Sequence, residues 1–266
     1  MITDWDDAYE NGGYIPNAES YGPKWEAEAA AYRATMVDRM EVVSYGPHPR
    51  ETIDIFLPEG APKGLVFYVH GGYWRSRDHR LWSHLAAGPV AHGWAVAMPG
   101  YVLCPEIGIA DITQQIAAAV DIAAARIKGP VHITGHSAGG HLAARMGCVD
   151  ITLACRDRIK RIVPISGVHD LRPITRTAMN NDFRLTMESA AAESPALLTP
   201  YQNFDLIAWV GAAERPEFVR QNALLASTWS GCFIETQCVE IDGQNHFTVI
   251  EGLADKNDPL TLALVN

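Results

Sequence analysis

The 266-residue sequence predicts an α/β fold, with a mostly parallel central sheet carrying helices on both faces. Three observations carry this. Short, continuously apolar runs recur along the chain, as strands covered on both faces require. Stretches with apolar residues at helical spacing separate them. A β-branched run, Val131-His132-Ile133-Thr134, then passes through Gly135-His136-Ser137-Ala138-Gly139-Gly140 into a helical pattern, so one unit of the series is a strand, a sharp turn and a helix.

Residues 1–38 form an aromatic, turn-rich arm (Tyr9, Tyr14, Tyr21) with a helix expected over about 24–37; packing on the domain, rather than walling a pocket, is its expected role. Two half-exposed strands are expected within 39–57, where Ile53, Ile55 and Leu57 share one face at period two. Pro58 to Gly64 reads as a turn. Buried strands follow at 65–69, 94–98, 131–134, 162–165, 206–210 and 234–241, with Pro164 an objection to the fourth because proline removes a ladder donor. Helices fall between them at 81–92, 142–148 and 216–228. The clearest places Ile109, Ile112, Ile116, Val120, Ala123 and Ile127 on one stripe, stopped by Gly129-Pro130. The irregular stretch 171–203, with a short helix near 186–193, is expected to form a lid or pocket wall.

Length suits a single domain over 1–266, and the apolar fraction of 48% supplies a core without staples. A net charge of −10 argues against nucleic acid or an anionic membrane as partner. Five cysteines (Cys104, Cys148, Cys155, Cys232, Cys238), odd in number and without Cys-x-x-Cys spacing, suggest free thiols in a reducing compartment. The acidic start, Met1 to Asp7, has no apolar h-region, and no run is long enough to span a bilayer, so a cytoplasmic location is expected. Oligomeric state is not legible.

The strand-turn-helix unit has the Gly-x-Ser-x-Gly form of a nucleophile elbow. The serine must sit on a turn too tight for side chains two residues either side, hence Gly135 and Gly139, and the helix behind it points N–H groups at an anion forming beside Ser137. His70-Gly71-Gly72-Tyr73-Trp74 directly follows the strand 65–69. Its glycines would let the main chain approach a reacting carbon, so Gly71, Gly72 and Tyr73, with Ala138, are the candidate oxyanion donors. Tyr73 and Trp74 are candidate aromatic pocket walls. The base should lie beyond the last strand, which selects His246 in Gly243-Gln244-Asn245-His246-Phe247. His136 is expected to point away from the reacting face and His169 to be structural. The acid should follow a strand between Ser137 and His246. Glu214 fits, with Asp170 its rival, Asp242 a neighbour of the base, and Glu217 better suited to starting the next helix.

With these residues in place, the chain resembles the α/β-hydrolase superfamily, near its esterase and hormone-sensitive-lipase-like branch and closest to the kynurenine formamidase (arylformamidase) group. The segments that carry the resemblance are HGGYW at 70–74, PGYVLCPE at 99–106, Gly135 to Met146, VGAAERPEFVRQ at 210–221 and NHF at 245–247, spread over roughly 39–253. That group usually has aspartate where Glu214 stands, and Val102 and Cys104 depart from its usual form. The expectation is a serine hydrolase of small carboxylic esters or aryl formamides acting through an acyl-enzyme, with Ser137, His246 and Glu214 catalytic and neither cofactor nor metal. A thioesterase or general carboxylesterase is the alternative within enzymes. A non-catalytic ligand-binding protein on the same scaffold is the alternative outside them.

Overall fold

The computed structural model describes residues 2–266. Eight strands, β1 (Met40–Ser44), β2 (Thr52–Phe56), β3 (Leu65–Val69), β4 (Ala95–Pro99), β5 (Val131–His136), β6 (Ile159–Ile165), β7 (Asp205–Gly211) and β8 (Glu235–Ile241), form one sheet in the order β1-β2-β4-β3-β5-β6-β7-β8. β2 is antiparallel to both β1 and β4, and the remaining pairs are parallel. The nine α-helices among the described residues are α1 (Trp5–Tyr9), α2 (Ala18–Thr35), α3 (Ala87–Ala91), α4 (Ile109–Arg126), α5 (Ala138–Arg145), α6 (Asn180–Phe183), α7 (Met187–Ala192), α8 (Pro216–Ser230) and α9 (Pro259–Val265). None is long and apolar enough to cross a membrane.

The continuous apolar runs from β3 to β7 have the cause expected of them, whereas β8, expected to be buried, is an edge strand with no buried residue. Along β3, Leu65, Phe67 and Val69 enter one core with residues of α4, α5 and α8, while Val66 and Tyr68 enter a second core with residues of α2 and α9. The chain leaves β3 for β4 on one side and then crosses to β5 on the other, so β3 and β5 flank the point where strand order reverses. Crevices at the carboxyl ends of strands gather ligands there. Pro164 is accommodated in the middle of the sheet: β6 pairs with β7 at Arg161, Ile162 and Ile165, and the missing donor falls in the gap between.

Among the helices five differ from expectation, α6 being one that no expected element matches. α2 starts at Ala18 and runs through Pro23, which in the second turn forfeits only one helical bond. The helix expected over 81–92 is a 3₁₀ turn at His79–Ala86 followed by α3, because Pro89 fits the first turn of a new helix better than the middle of an old one. Helices α1 and α9 were not anticipated. α9 is capped by Asp258, which accepts from Leu260 N, and buries Leu260 and Leu264.

Candidate active site

The turn after β5 is tight for a reason that can be read atom by atom. A Cβ on Gly135 would lie 2.3 Å from the Gly139 carbonyl oxygen, and one on Gly139 would lie 2.0 Å from that of Val69. Ser137 between them is held at φ 56, ψ −117, a conformation costly to a residue with a side chain. Its N–H donates to Ile165 O at 2.9 Å and its carbonyl accepts from His141 N at 3.1 Å, so sheet and helix clamp the turn from both ends. Among the described residues the Oγ has no hydrogen-bond partner, and Ser137 lines a cavity of about 240 Å³.

His246 reaches the same cavity from the loop after β8. Asn245 fixes that loop: its Oδ1 accepts from Phe247 N (2.8 Å) and Thr248 N (3.1 Å). His246 Nδ1 lies 2.6 Å from Glu214 Oε2, and both side chains are buried. The other carboxylate oxygen, Oε1, accepts from Gly211 N at 2.9 Å and from the Ser166 hydroxyl. Ser166 escaped the reading of the sequence, although its place directly after β6, at the end of the sheet where the other groups gather, was a usable signal. Asp170 is engaged elsewhere, chelating the Arg172 guanidinium with two contacts of 2.9 Å. Asp242 is exposed. Glu217, in the first turn of α8 as expected, is buried and accepts from Tyr9 Oη at 2.9 Å and Gln221 Nε2 at 2.8 Å.

His136 departs from expectation. It shares the face of β5 that carries His132 and Thr134, and the loop after β8 folds over that face, so its ring lies 4.5 Å from that of His246 and forms part of the cavity wall. Burial keeps the His136 imidazole well below its ordinary pKa, and therefore neutral. Phe218 backs His246 on another side at 4.4 Å. His169 is wholly buried, as a structural histidine should be.

The loop after β3 lies against the elbow. A Cβ on Gly71 would stand 2.8 Å from His136 O and 3.2 Å from Ser137 Cβ. Gly72, Tyr73 and Trp74 all have positive φ (117, 52 and 55). The N–H groups of Gly71, Gly72, Tyr73 and Ala138 find no acceptor among the described residues. Tyr73 is pegged by its hydroxyl, which donates to Tyr9 O at 2.8 Å and accepts from Asn11 Nδ2 at 3.2 Å. Behind the loop, His70 stacks on Tyr101 at 4.3 Å and donates from Nδ1 to Gly71 O at 2.7 Å; burial pushes its pKa down to about 3.

Two expected walls are not walls. Trp74 is 1% exposed, gives its indole N–H to His141 Nδ1 at 3.2 Å and packs edge-on against Phe183; its left-handed backbone turns the ring into the core. Segment 171–203 contributes nothing to the cavity. Its buried polar groups tie it to the body: Glu193 accepts from Arg145 Nε (3.1 Å) and Thr113 Oγ1 (2.8 Å), and the Pro195 carbonyl from Trp229 Nε1 (3.0 Å). The N-terminal arm takes that place instead, with Glu10, Asn11, Gly12 and, from α2, Trp25 in the wall, joined by Trp82 and Phe247. Among the described residues no three His, Cys, Asp or Glu side chains are grouped as metal ligands.

Comparison with known proteins agrees with this architecture. The model of the alpha/beta hydrolase family matches residues 66–259. A kynurenine formamidase from Danio rerio is 29% identical over 235 residues, covering 84% of this chain and 80% of that protein. A solved structure from Silicibacter sp. TM1040, provisionally named a thioesterase, is 45% identical over the whole of both chains, with a TM-score of 0.95. An esterase of Pyrobaculum calidifontis, at 16% identity and TM-score 0.71 over 93% of this chain and 92% of its own, shares the fold. The chain belongs to the alpha/beta hydrolase family, and its sequence is similar to the kynurenine formamidase-like esterases within it.

Proposed function

We propose that the protein is a serine hydrolase that opens small carboxylic esters or aryl formamides through an acyl-enzyme. The observation that carries this reading is the buried 2.6 Å contact between Glu214 and His246 Nδ1, made in the wall of the cavity that Ser137 lines. A carboxylate on Nδ1 fixes the proton there and leaves Nε2 as the base. Ser137 Oγ then attacks the carbonyl carbon while His246 takes its proton. The C–O or C–N bond to the leaving group breaks as the same proton is returned to that group. Water, deprotonated by His246, releases the acyl or formyl group as its acid. The oxyanion that forms on each pass would be met by Ala138 N–H and by N–H groups of Gly71, Gly72 or Tyr73, each such donor being worth about 3 kcal/mol. The unbonded Ser137 Oγ is compatible with this role, since catalytic hydrogen bonds often tighten only once substrate is bound. Aromatic walls from Trp25, Tyr73, Trp82 and Phe247 favour an aryl group, which supports the formamide side of the reading, as does the resemblance to the kynurenine formamidases.

The test has two parts. A fluorophosphonate should label the wild-type protein at Ser137 and leave Ser137→Ala unlabelled; a wild-type protein that resists labelling defeats the serine mechanism. Comparison of kcat/KM for N-formylkynurenine, p-nitrophenyl esters and acyl thioesters then fixes the bond. Thioester cleavage is the second reading, supported by the name of the 45%-identical protein, and a thioester preference of orders of magnitude would replace the first.

A further inference from the structure

From the cavity wall we infer that Arg77 is a specificity-determining residue that selects substrates bearing a carboxylate, an inference that rests on the hydrolase reading above. Three arginines lie close together after the loop that follows β3. Arg75 pairs with Asp182 at 2.6 Å and Arg80 with Asp54 at 3.1 Å. Arg77 has no carboxylate within 4.0 Å among the described residues, and of the three it alone belongs to the cavity that Ser137 and His246 share.

Its placement is built. The backbone of Arg77 is held at φ +77, a region that side chains rarely enter. Its carbonyl accepts from Arg50 Nη2 at 2.6 Å, while Arg50 Nε donates to Tyr101 O at 2.7 Å, so a second arginine fixes the turn. A Cβ on Gly72 would stand 3.0 Å from Arg77 Cγ, which lays the side-chain stem on the proposed oxyanion loop itself. The neighbouring carboxylates are not free to neutralise it. Asp78 faces His79 at 3.3 Å, accepts from Arg80 N at 3.0 Å and lies 3.7 Å from Arg50. Glu10, the one carboxylate lining the cavity among the described residues, accepts from Gly13 N at Oε1 (2.9 Å) and stays beyond ion-pair distance of Arg77.

In a chain of net charge −10, an anionic substrate is otherwise repelled, so a lone cation at the reacting cavity has a large selective effect. A guanidinium offers two parallel N–H donors to a carboxylate; Arg77 is exposed, so solvent screening brings the worth of such a contact down to about fivefold to tenfold in binding.

Matched pairs of substrates test this on both sides of the scissile bond. p-Nitrophenyl hemisuccinate against p-nitrophenyl butyrate places the charge on the acyl side, and 3-acetoxybenzoate against phenyl acetate places it on the leaving group. On the side that Arg77 reads, the ratio of kcat/KM for charged over neutral substrate should fall about fivefold to tenfold in Arg77→Gln. Arg77→Lys, which keeps the charge without the paired donors, should restore part of the ratio, and Arg75→Gln, whose guanidinium pairs outside the cavity, should leave it unchanged. Raising salt should erode the wild-type ratio. Ratios equal in wild type and Arg77→Gln for both pairs overturn the inference while leaving the hydrolase reading intact. A wild-type protein that labels with fluorophosphonate nowhere and turns over neither member of either pair overturns both.

Discussion

The replacement Glu214→Gln isolates the geometry around the base, because the carboxylate's two oxygens have different neighbours. Oε1 faces the Gly211 N–H at 2.9 Å, a group that can only donate. In the amide, the oxygen is therefore kept on that side and the NH2 group is turned toward His246 Nδ1. Nδ1 must then accept, which moves the ring proton to Nε2, the atom that has to receive the proton of Ser137. That wrong tautomer costs about 10⁴-fold in kcat. The flipped amide would restore the tautomer but set an N–H against the Gly211 N–H. Leaving that buried donor unmet costs about 1–3 kcal/mol, which confines the productive form to roughly one molecule in five to one in 150. The loss in kcat on a p-nitrophenyl ester should thus be at least about 5-fold, where the flipped form carries full turnover, and reach about 10⁴-fold where that form also fails without the carboxylate charge, with KM little changed and the melting temperature within a few degrees of wild type. Asp170→Asn, which disturbs only the contact with the partly exposed Arg172, should keep near-native kcat. Turnover within threefold of wild type in Glu214→Gln would refute the assignment of the acid.

Four further outcomes follow from the same contacts. Tyr73→Phe removes both hydroxyl contacts that hold a left-handed residue in place, a conformation costing about 1–3 kcal/mol; kcat should fall by up to about 10²-fold with a smaller change in KM, and a rise in KM alone would count against the peg. Gly139→Ala drives a methyl into Val69 O at 2.0 Å, so circular dichroism should show little folded protein at the wild-type melting temperature minus 10 °C, whereas a fully folded variant would mean the elbow has slack. Tyr9→Phe deprives buried Glu217 of one donor, for a loss of about 1.5–3 kcal/mol in urea denaturation; no loss would show that Arg220 and Gln221 suffice. Burial holds His70, His141 and His169 near pKa 3 in the folded chain. Since their folded values lie below the unfolded value near 6.5, their contribution is complete above pH 6.5 and is lost as pH falls from there toward 3. Each can steepen the decline by up to about 1.4 kcal/mol per pH unit, which urea midpoints between pH 7 and pH 4 would register; a flat profile would mean these rings are already charged or free of burial cost.

The sheet and the Ser137, Glu214 and His246 positions were legible because each rests on a local pattern. Two-sided burial makes β3 to β7 read as apolar runs, and a nucleophile turn needs its glycines within two residues of the serine. The cavity walls were not legible, since contacts distant in sequence decide them. Tyr73 meets Asn11 across 62 residues, and Tyr9 meets Glu217 across 208, so nothing near either residue announces the arm as a wall. Trp74 had the composition of a pocket residue but the backbone of a core one. His136 was misjudged for a related reason: which face of β5 is covered depends on where the loop after β8 lands. The 3₁₀ turn at 79–86 carries the apolar spacing of an α-helix, and only the hydrogen-bond partners tell the two apart.

The arm also explains how the candidate site is held together. On one side Tyr9 and Asn11 peg Tyr73, beside the proposed oxyanion donors. On the other, Arg215, adjacent to Glu214, bonds Asp7 and lies 3.6 Å over the ring of Tyr14. One short segment therefore touches both the loop after β3 and the turn that carries the acid, while its own Glu10, Asn11 and Gly12 face the cavity. The elbow and the Glu214–His246 pair are set by strand ends in the sheet, and changing them would disturb the core. The arm lies outside the sheet, and although Tyr9, Asn11 and Trp25 are buried, exposed Glu10 and half-buried Gly12 can be changed to reshape the cavity at little cost to the fold. On the proposed reading, reaction type would reside in the rigid strand ends and substrate choice in the cavity-facing arm and Arg77, so that one set of positions could serve different acyl groups.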